Sequence, residues 1–247
     1  MITGASSGIG RGLALELSRR GARLGLVARR AAVLDEIVGE IGSGGGKALA
    51  LAVDVQDATA LRGAADRLRA EFGQIDLLIA NAGIGLTAEA AKMEPADLAR
   101  VFNVNVIGAA NSVAVVVPEM LAQGSGQIAA ISSLAAYRGL PKSAAYCASK
   151  AAVSAFFESV RLDLKGKGIA VTIIHPGFIK TPLTEGRHAD MPFLMELQDA
   201  VRLIAGAIER RKKSYAFPWQ LASIVRLGMI MPNFMYDWIA VRNSFRE

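Results

Sequence analysis

The chain predicts a single doubly wound α/β domain, a parallel sheet with helices on both faces, and three observations carry that prediction. Short apolar runs alternate with stretches of helical periodicity from the start to about residue 180. Most of these runs are apolar on both faces, the pattern of central parallel strands covered on each side. The 247 residues are 52% hydrophobic and 20% charged, with a mean hydropathy of +0.34. That supplies one large core and excludes a disordered chain or a coiled coil.

Taken in order, Met1-Ile2 leads straight into Thr3-Gly4-Ala5-Ser6-Ser7-Gly8-Ile9-Gly10, with none of the basic-then-apolar pattern of an export signal. So little chain ahead of the glycines predicts a first strand cut short at the middle of the sheet, as from a start site assigned too late or a shortened chain. Added upstream apolar residues are then expected to raise the melting temperature. Further strands are expected over 23–28, 47–53, 76–80, 127–131 and 169–175. Helices are expected over 10–20, 32–41, 58–72, 95–121 with a break near Gly108, and 144–165. The run Gly42-Ser43-Gly44-Gly45-Gly46 joins a helix to a strand within this rhythm and reads as a helix stop and turn. Past residue 183 the pattern changes to a polar stretch, a helical pattern over 192–211, the basic run Arg210-Arg211-Lys212-Lys213 and a Met- and aromatic-rich tail.

The glycines Gly4, Gly8 and Gly10, with Ser6, Ser7 and Ile9 between them, stand where the first strand passes into the first helix. Glycines there permit a tight turn and close backbone approach to a pyrophosphate, while free N–H groups and the helix dipole attract the anion. At the end of the second strand, where an acid would accept from a ribose 2′-OH, the sequence has Arg29-Arg30. A 2′-phosphate suits a planar, permanently charged donor, so NADP is expected over NAD, which stays open. Asp54 ends the third strand, as an acceptor for an adenine amino group or as the N-cap of the next helix. Asn81-Ala82-Gly83 follows the fourth with side chains small enough for a ribose or ring to come close.

Tyr146 and Lys150 share one helix face at i and i+4. A free Tyr has a pKa near 10, and a neighbouring cation lowers an acidic group by roughly 1 to 3 units, which makes the pair an acid/base candidate. Ser133 ends the preceding strand, on the side of the sheet where parallel strands line a ligand crevice, with a hydroxyl able to polarise a carbonyl.

The combination TGASSGIG, NAG, FNVNVIG, ISS, YCASK and HPGFIKTP, in that order, resembles the short-chain dehydrogenase/reductase family in its short single-domain branch, over residues 3 to about 183. The resemblance implies a Rossmann-like fold and hydride transfer between NADP(H) and a ketone or secondary alcohol, reduction being the favoured direction. It assigns Tyr146 as general acid/base, Lys150 as the residue that lowers its pKa and bonds the nicotinamide ribose, and Ser133 as the residue orienting the substrate oxygen. Asn105, rather than Asn103, matches the Asn that holds a relay water. It doubles as a helix-kink residue. Pro176, Gly177, Ile179 and Thr181 match the segment that holds the carboxamide, Arg29 the 2′-phosphate site with Arg30 as a second contact, and Asp54 with Val55 the adenine pocket. Residues 1–183 are thus expected to form the cofactor-binding and catalytic core, and 184–247 a substrate loop and helical extension of the same domain.

Other features carry less chemistry. Cys147 reads as a small packing residue and His175 as a core or rim residue, while His188, Tyr137 and Arg138 are candidates for the substrate pocket. A single Cys excludes an internal disulfide framework, and with two His no metal site is expected; both fit a cytoplasmic protein. Lys+Arg 28 against Asp+Glu 22 leaves +6, but no nucleic-acid-binding module accompanies the surplus. The partners expected are a small carbonyl or alcohol substrate and other copies of the chain, in a homodimer or homotetramer. In the tail, Gln220, Ser223 and Arg226 make a narrow polar stripe on an apolar helix over 219–231. Its length of about 20 Å is too short for a bilayer core of roughly 30 Å. Three roles remain open for it: a substrate lid or dimer surface, a membrane-surface helix aided by the basic run, giving peripheral membrane contact through 210–231, or core packing.

Overall fold

Each apolar run becomes a strand of one parallel sheet. The computed structural model describes residues 1–185 and 191–242. Among these, β1 (Ile2–Thr3), β2 (Arg23–Ala28), β3 (Lys47–Ala52), β4 (Leu77–Ala80), β5 (Gly126–Ile131), β6 (Ile169–Pro176) and β7 (Ser214–Phe217) lie in the order β3-β2-β1-β4-β5-β6-β7. The order reverses between β1 and β4, which opens a crevice above their C-terminal ends. Side chains on one face pack against α3 (Ala58–Phe72), α5 (Gly108–Gln123) and α6 (Ala144–Asp163). Those on the other meet α1 (Gly8–Arg19), α2 (Ala31–Ser43) and α7 (Leu197–Glu209). Burial on both faces is why the strands read as unbroken apolar runs.

At the centre, β1 is two residues long: Ile2 pairs with Leu26 on one side and Ile79 on the other. Met1 is buried against the same strands, its amine 2.7 Å from the Leu77 carbonyl oxygen. The glycine-rich run 42–46 is the helix stop expected, with Gly45 at φ 79 just before β3. Asp57, not Asp54, caps α3, its carboxylate accepting from the Ala60 N–H at 2.9 Å. Asp54 lies three residues too early for that bond and accepts from the Gln56 N–H instead.

The break expected near Gly108 is a single π turn, Asn103–Ile107, inserted between α4 (Pro95–Phe102) and α5. The resulting segment Pro95–Gln123 is long and apolar enough to cross a membrane by length and composition. Its Ala109, Val113, Val116 and Met120, however, are spent on the core beneath the sheet. In the tail, the helical pattern over 192–211 shortens to α7, because Met195 pairs with Ile179 in an isolated bridge. The apolar segment forms α8 (Trp219–Ile230), and a further helix, α9 (Asn233–Arg242), follows it after Pro232.

The entry to α1 tolerates no side chain at one point. A methyl on Gly10 would lie 2.2 Å from the Gly4 carbonyl oxygen and 2.6 Å from Asn81 Nδ2. Gly10→Ala is therefore expected to cost about 1–3 kcal/mol by overpacking. At about 2–4 °C per kcal/mol, the melting temperature falls by several degrees in calorimetry, and an unchanged value would contradict the packing.

Candidate active site

The C-terminal ends of β1, β4, β5 and β6 open into one cavity of about 880 Å³, where a doubly wound sheet gathers its ligand-binding residues. Of the residues singled out in the sequence, Gly4, Ser6, Ser7, Gly8, Ile9, Arg29, Arg30, Asp54, Val55, Asn81, Ala82, Gly83, Ser133, Tyr146, Lys150, Pro176, Gly177, Ile179 and Thr181 all line it. Gly10 and Asn105 stand just behind the wall. His188 lies outside the described residues.

One end is built for an anion. Ser7 precedes α1 in extended conformation and makes no side-chain capping bond, so the first-turn N–H groups and the positive end of the helix face the cavity. Gly4 and Gly8 hold positive φ angles of 66° and 52° around this turn. The two arginines after β2 behave differently. Arg30 folds back on the turn, its Nη2 2.9 Å from Ser6 Oγ and 3.1 Å from the Ser6 carbonyl oxygen. Arg29 is mostly exposed, 3.8 Å from an Asp54 carboxylate oxygen. Beyond them Val55 is held by Asn111, whose Nδ2 donates to its carbonyl. Asn81 ties β4 to β1 by donating to the Thr3 and Gly4 carbonyls at 2.9 and 3.2 Å. This end fits a dinucleotide: open helix amides and a cationic pair at one rim, with glycines where a pyrophosphate must approach.

The other end gathers the polar groups of β5 and α6. Lys150 is buried, donates from Nζ to the Ile131 carbonyl at 2.9 Å, and lies 5.8 Å from the centre of the Tyr146 ring. Burial lowers its pKa to about 8. Ser133 Oγ accepts from the Ala135 N–H at 3.1 Å, a bond that leaves its own proton to donate. Ser132, its neighbour, is instead buried and bonds the Lys150 carbonyl. Asn105 sits in the π turn with its amide fully engaged: Oδ1 accepts from the Ile84 N–H, and Nδ2 donates to the Ile84 carbonyl and to Ser149 Oγ. A methyl on Gly83 would lie 3.3 Å from Asn105 Oδ1 and 3.4 Å from Lys150 Nζ, so the two are neighbours below that glycine.

Between the ends runs the segment after β6. Thr184 Oγ1 accepts from the Thr181 N–H and donates to the Ile179 carbonyl, and Met195 secures the loop through Phe178 and Lys180. His175, in β6, faces away into a small separate cavity with Tyr137, 5.0 Å between ring centres. Burial first, then the Arg226 charge, lowers its pKa to about 4, so it stays neutral at physiological pH. Cys147 is buried, and burial raises its pKa, as suits a packing residue. Among the described residues no cluster of three or more His, Cys, Asp or Glu is placed to hold a metal.

The outer wall was not foreseen in detail. Leu221, Ile224, Val225, Leu227 and Met231 of the α8 segment and Tyr236, Ile239 and Ala240 of α9 close the cavity. Arg138, noted only as a pocket candidate, fastens them. Its guanidinium donates to the Gly228 and Met231 carbonyls and to Asn233 Oδ1, and stacks 3.8 Å from the centre of the Tyr236 ring. Tyr236 Oη in turn donates to the Gly139 carbonyl. A cation on the last carbonyls of a helix satisfies groups the helix leaves unpaired. Pro232-Asn233, a helix-start signal, was the trace of α9 in the sequence.

A family model described as short chain dehydrogenase matches residues 1–192. The chain is 43% identical over 242 residues to an uncharacterized oxidoreductase of Myxococcus xanthus (strain DK1622), covering 98% of this chain and 96% of that protein. Among solved structures it is similar to a 3-ketoacyl-ACP reductase from Sinorhizobium meliloti 1021, at 30% identity and a TM-score of 0.80 over 88% of this chain and 97% of that one. It is also similar to a 3-ketoacyl-(acyl-carrier-protein) reductase from Brucella melitensis complexed with NADH, at 29% identity and a TM-score of 0.79 over 87% and 93%. Sheet order, crevice and matched length agree: the chain belongs to the short-chain dehydrogenase/reductase family, oxidoreductases that bind a nicotinamide cofactor.

Proposed function

We propose that this chain is an NADP(H)-preferring oxidoreductase that interconverts a ketone and a secondary alcohol, with an apolar substrate. One observation carries the reading. A single cavity runs from Arg29 and Arg30 past the Gly4 turn to Ser133, Tyr146 and Lys150, and ends against the apolar wall of α8 and α9.

When bound, the nicotinamide ring supplies or takes up the hydride, chemistry that side chains lack. The proton belongs to this chain. Tyr146 gives its phenolic proton to the substrate oxygen during reduction and recovers it during oxidation. The Lys150 ammonium, on the same helix face, favours the phenolate that remains. Ser133 donates to the same substrate oxygen and orients it. Asn105 holds the π turn beside Lys150, from which the proton is replaced. The α1 amides with Ser6 and Arg30 bind the phosphates, Asp54 and Val55 the adenine, and Ile179 and Thr181 the carboxamide.

A second reading, NAD dependence, has the Asp54 carboxylate beside Arg29 in its favour, since that pairing partly neutralises the rim. Ketone panels followed by cofactor absorbance with NADPH and with NADH test both readings. Turnover with NADPH is expected to dominate, and no turnover of any ketone with either cofactor would overturn the proposal.

The pH profile follows from Lys150. Its ammonium is present below its pKa of about 8 and lost above it, so kcat/KM for ketone reduction is expected to be flat below that pH and to fall above it. Lys150→Arg, which stays charged, is expected to keep partial activity and lose this limb. A limb that persists unmoved in the variant would assign it elsewhere. The same burial disfavours the folded state while the lysine is charged. Between pH 8 and 10.5 the unfolded chain binds more protons at this group, and stability gains a contribution as pH rises.

A further inference from the structure

The last two helices present apolar surface in two directions. Leu221, Val225, Ile239 and Ala240 turn into the cavity, while Trp219 (73% exposed), Ile230 (81%), Phe234 (75%) and Trp238 (62%) turn outward. On α9, Phe234, Trp238 and Val241 follow at i, i+4 and i+7, which places them on one helix face. Arg138 and Tyr236 clamp both helices to the turn after β5, so this face is displayed by a fixed support.

We infer that the outer face of α8 and α9 docks on an anionic lipid surface, and that the cavity takes its substrate, a long-chain carbonyl compound, from that lipid. The substrate half rests on the oxidoreductase reading above.

Three observations select lipid as the occupant. First, the face is continuous with the cavity mouth: Ile224 and Leu227 line the cavity and are also largely exposed. A second copy seated there would cover the entrance, whereas fluid acyl chains leave it open to an apolar molecule that never has to cross water. Second, cationic groups flank the helices in the chain: Arg226 lies on α8, opposed by Asp237 on α9, and Arg210, Arg211, Lys212 and Lys213 precede the four-residue strand β7 that leads into α8. Cationic segments beside an apolar helix are drawn to anionic headgroups. Third, the helices have 12 and 10 residues, about 18 and 15 Å, too short to span a bilayer core and suited to lying in its interface. Exposed Trp219 and Trp238 match the aromatic preference of that zone.

The test separates docking from chemistry, because Ile230, Phe234 and Trp238 do not line the cavity. The full chain and the triple variant Ile230→Glu, Phe234→Glu, Trp238→Glu are co-sedimented with vesicles of phosphatidylcholine alone or with added phosphatidylglycerol. The wild type is expected to bind the anionic vesicles most, and the variant to lose at least about tenfold of that binding. In vesicle-free buffer the variant is expected to keep its melting temperature and its rate on a small water-soluble ketone. A wild type that stays in the supernatant, or a variant that sediments equally, overturns the docking. So does a lipid-free dimer in sedimentation velocity that the variant dissolves, which would give the face to a second copy. Vesicle binding without turnover of any ketone leaves the docking standing and overturns the substrate half together with the oxidoreductase reading.

Discussion

Tyr146→Phe is expected to lower kcat for ketone reduction by about 10²–10⁴-fold, the usual contribution of a positioned general acid, while leaving NADPH affinity and melting temperature close to wild type. The substitution deletes one hydroxyl and keeps the ring that packs at the start of α6. Among the described residues Cys147 is buried with its pKa raised, and His175 is neutral and faces the other cavity, so neither takes over the proton. In the proposed mechanism Ser133 orients the substrate oxygen while Tyr146 carries the proton, so Ser133→Ala is expected to act more weakly than Tyr146→Phe. Single-turnover measurement at saturating NADPH separates this chemical step from binding. A variant within about threefold of wild type would remove Tyr146 from the proton's path.

Removing both arginines after β2 is expected to weaken NADPH binding by about 100-fold with little change for NADH, since each charge-assisted bond to a phosphate contributes roughly 1.5–3 kcal/mol. The single variants should be unequal. Arg30 is pre-positioned by two contacts to Ser6, so less side-chain freedom is lost when it engages a phosphate, whereas Arg29 must leave Asp54. Arg30→Ala is therefore expected to cost more than Arg29→Ala. Fluorescence titration at fixed ionic strength measures both, because exposed charges are screened by salt. Tighter binding of NADH than NADPH by the wild type would overturn the assignment.

Most of the framework was legible because it rests on local rules. Alternation of apolar runs gave the strands, and the edges moved by only one or two residues: 47–53 became Lys47–Ala52 and 76–80 became Leu77–Ala80. The spacing of Tyr146 and Lys150 placed them on one face, and burial of Lys150 then set its proton affinity. Local rules failed where two residues could serve the same purpose. Asp54 and Asp57 both precede α3, and only the one whose carboxylate reaches the third amide of the helix can cap it. The polar stripe Gln220, Ser223 and Arg226 pointed to a helix with one wet side, yet Trp219, Leu227 and Ile230 share that exposed side. Periodicity ranks faces by composition, and here both faces of the helix are apolar.

By itself, then, the sequence determined the parallel sheet as far as β6, the helices that cover it and the spacing of the groups in the cavity, because backbone geometry over a few residues dictates each, whereas β7 and α9 were not among the elements expected. Which arginine turns to the glycine-rich turn, and which surface of α8 and α9 faces inward, were decided only in three dimensions. Arg30 meets Ser6 across 24 positions of chain, and Arg138 reaches the carbonyl ends of α8 across 90 or more. Such contacts form once the whole sheet has assembled and brought distant segments within hydrogen-bond range, and no local pattern encodes them.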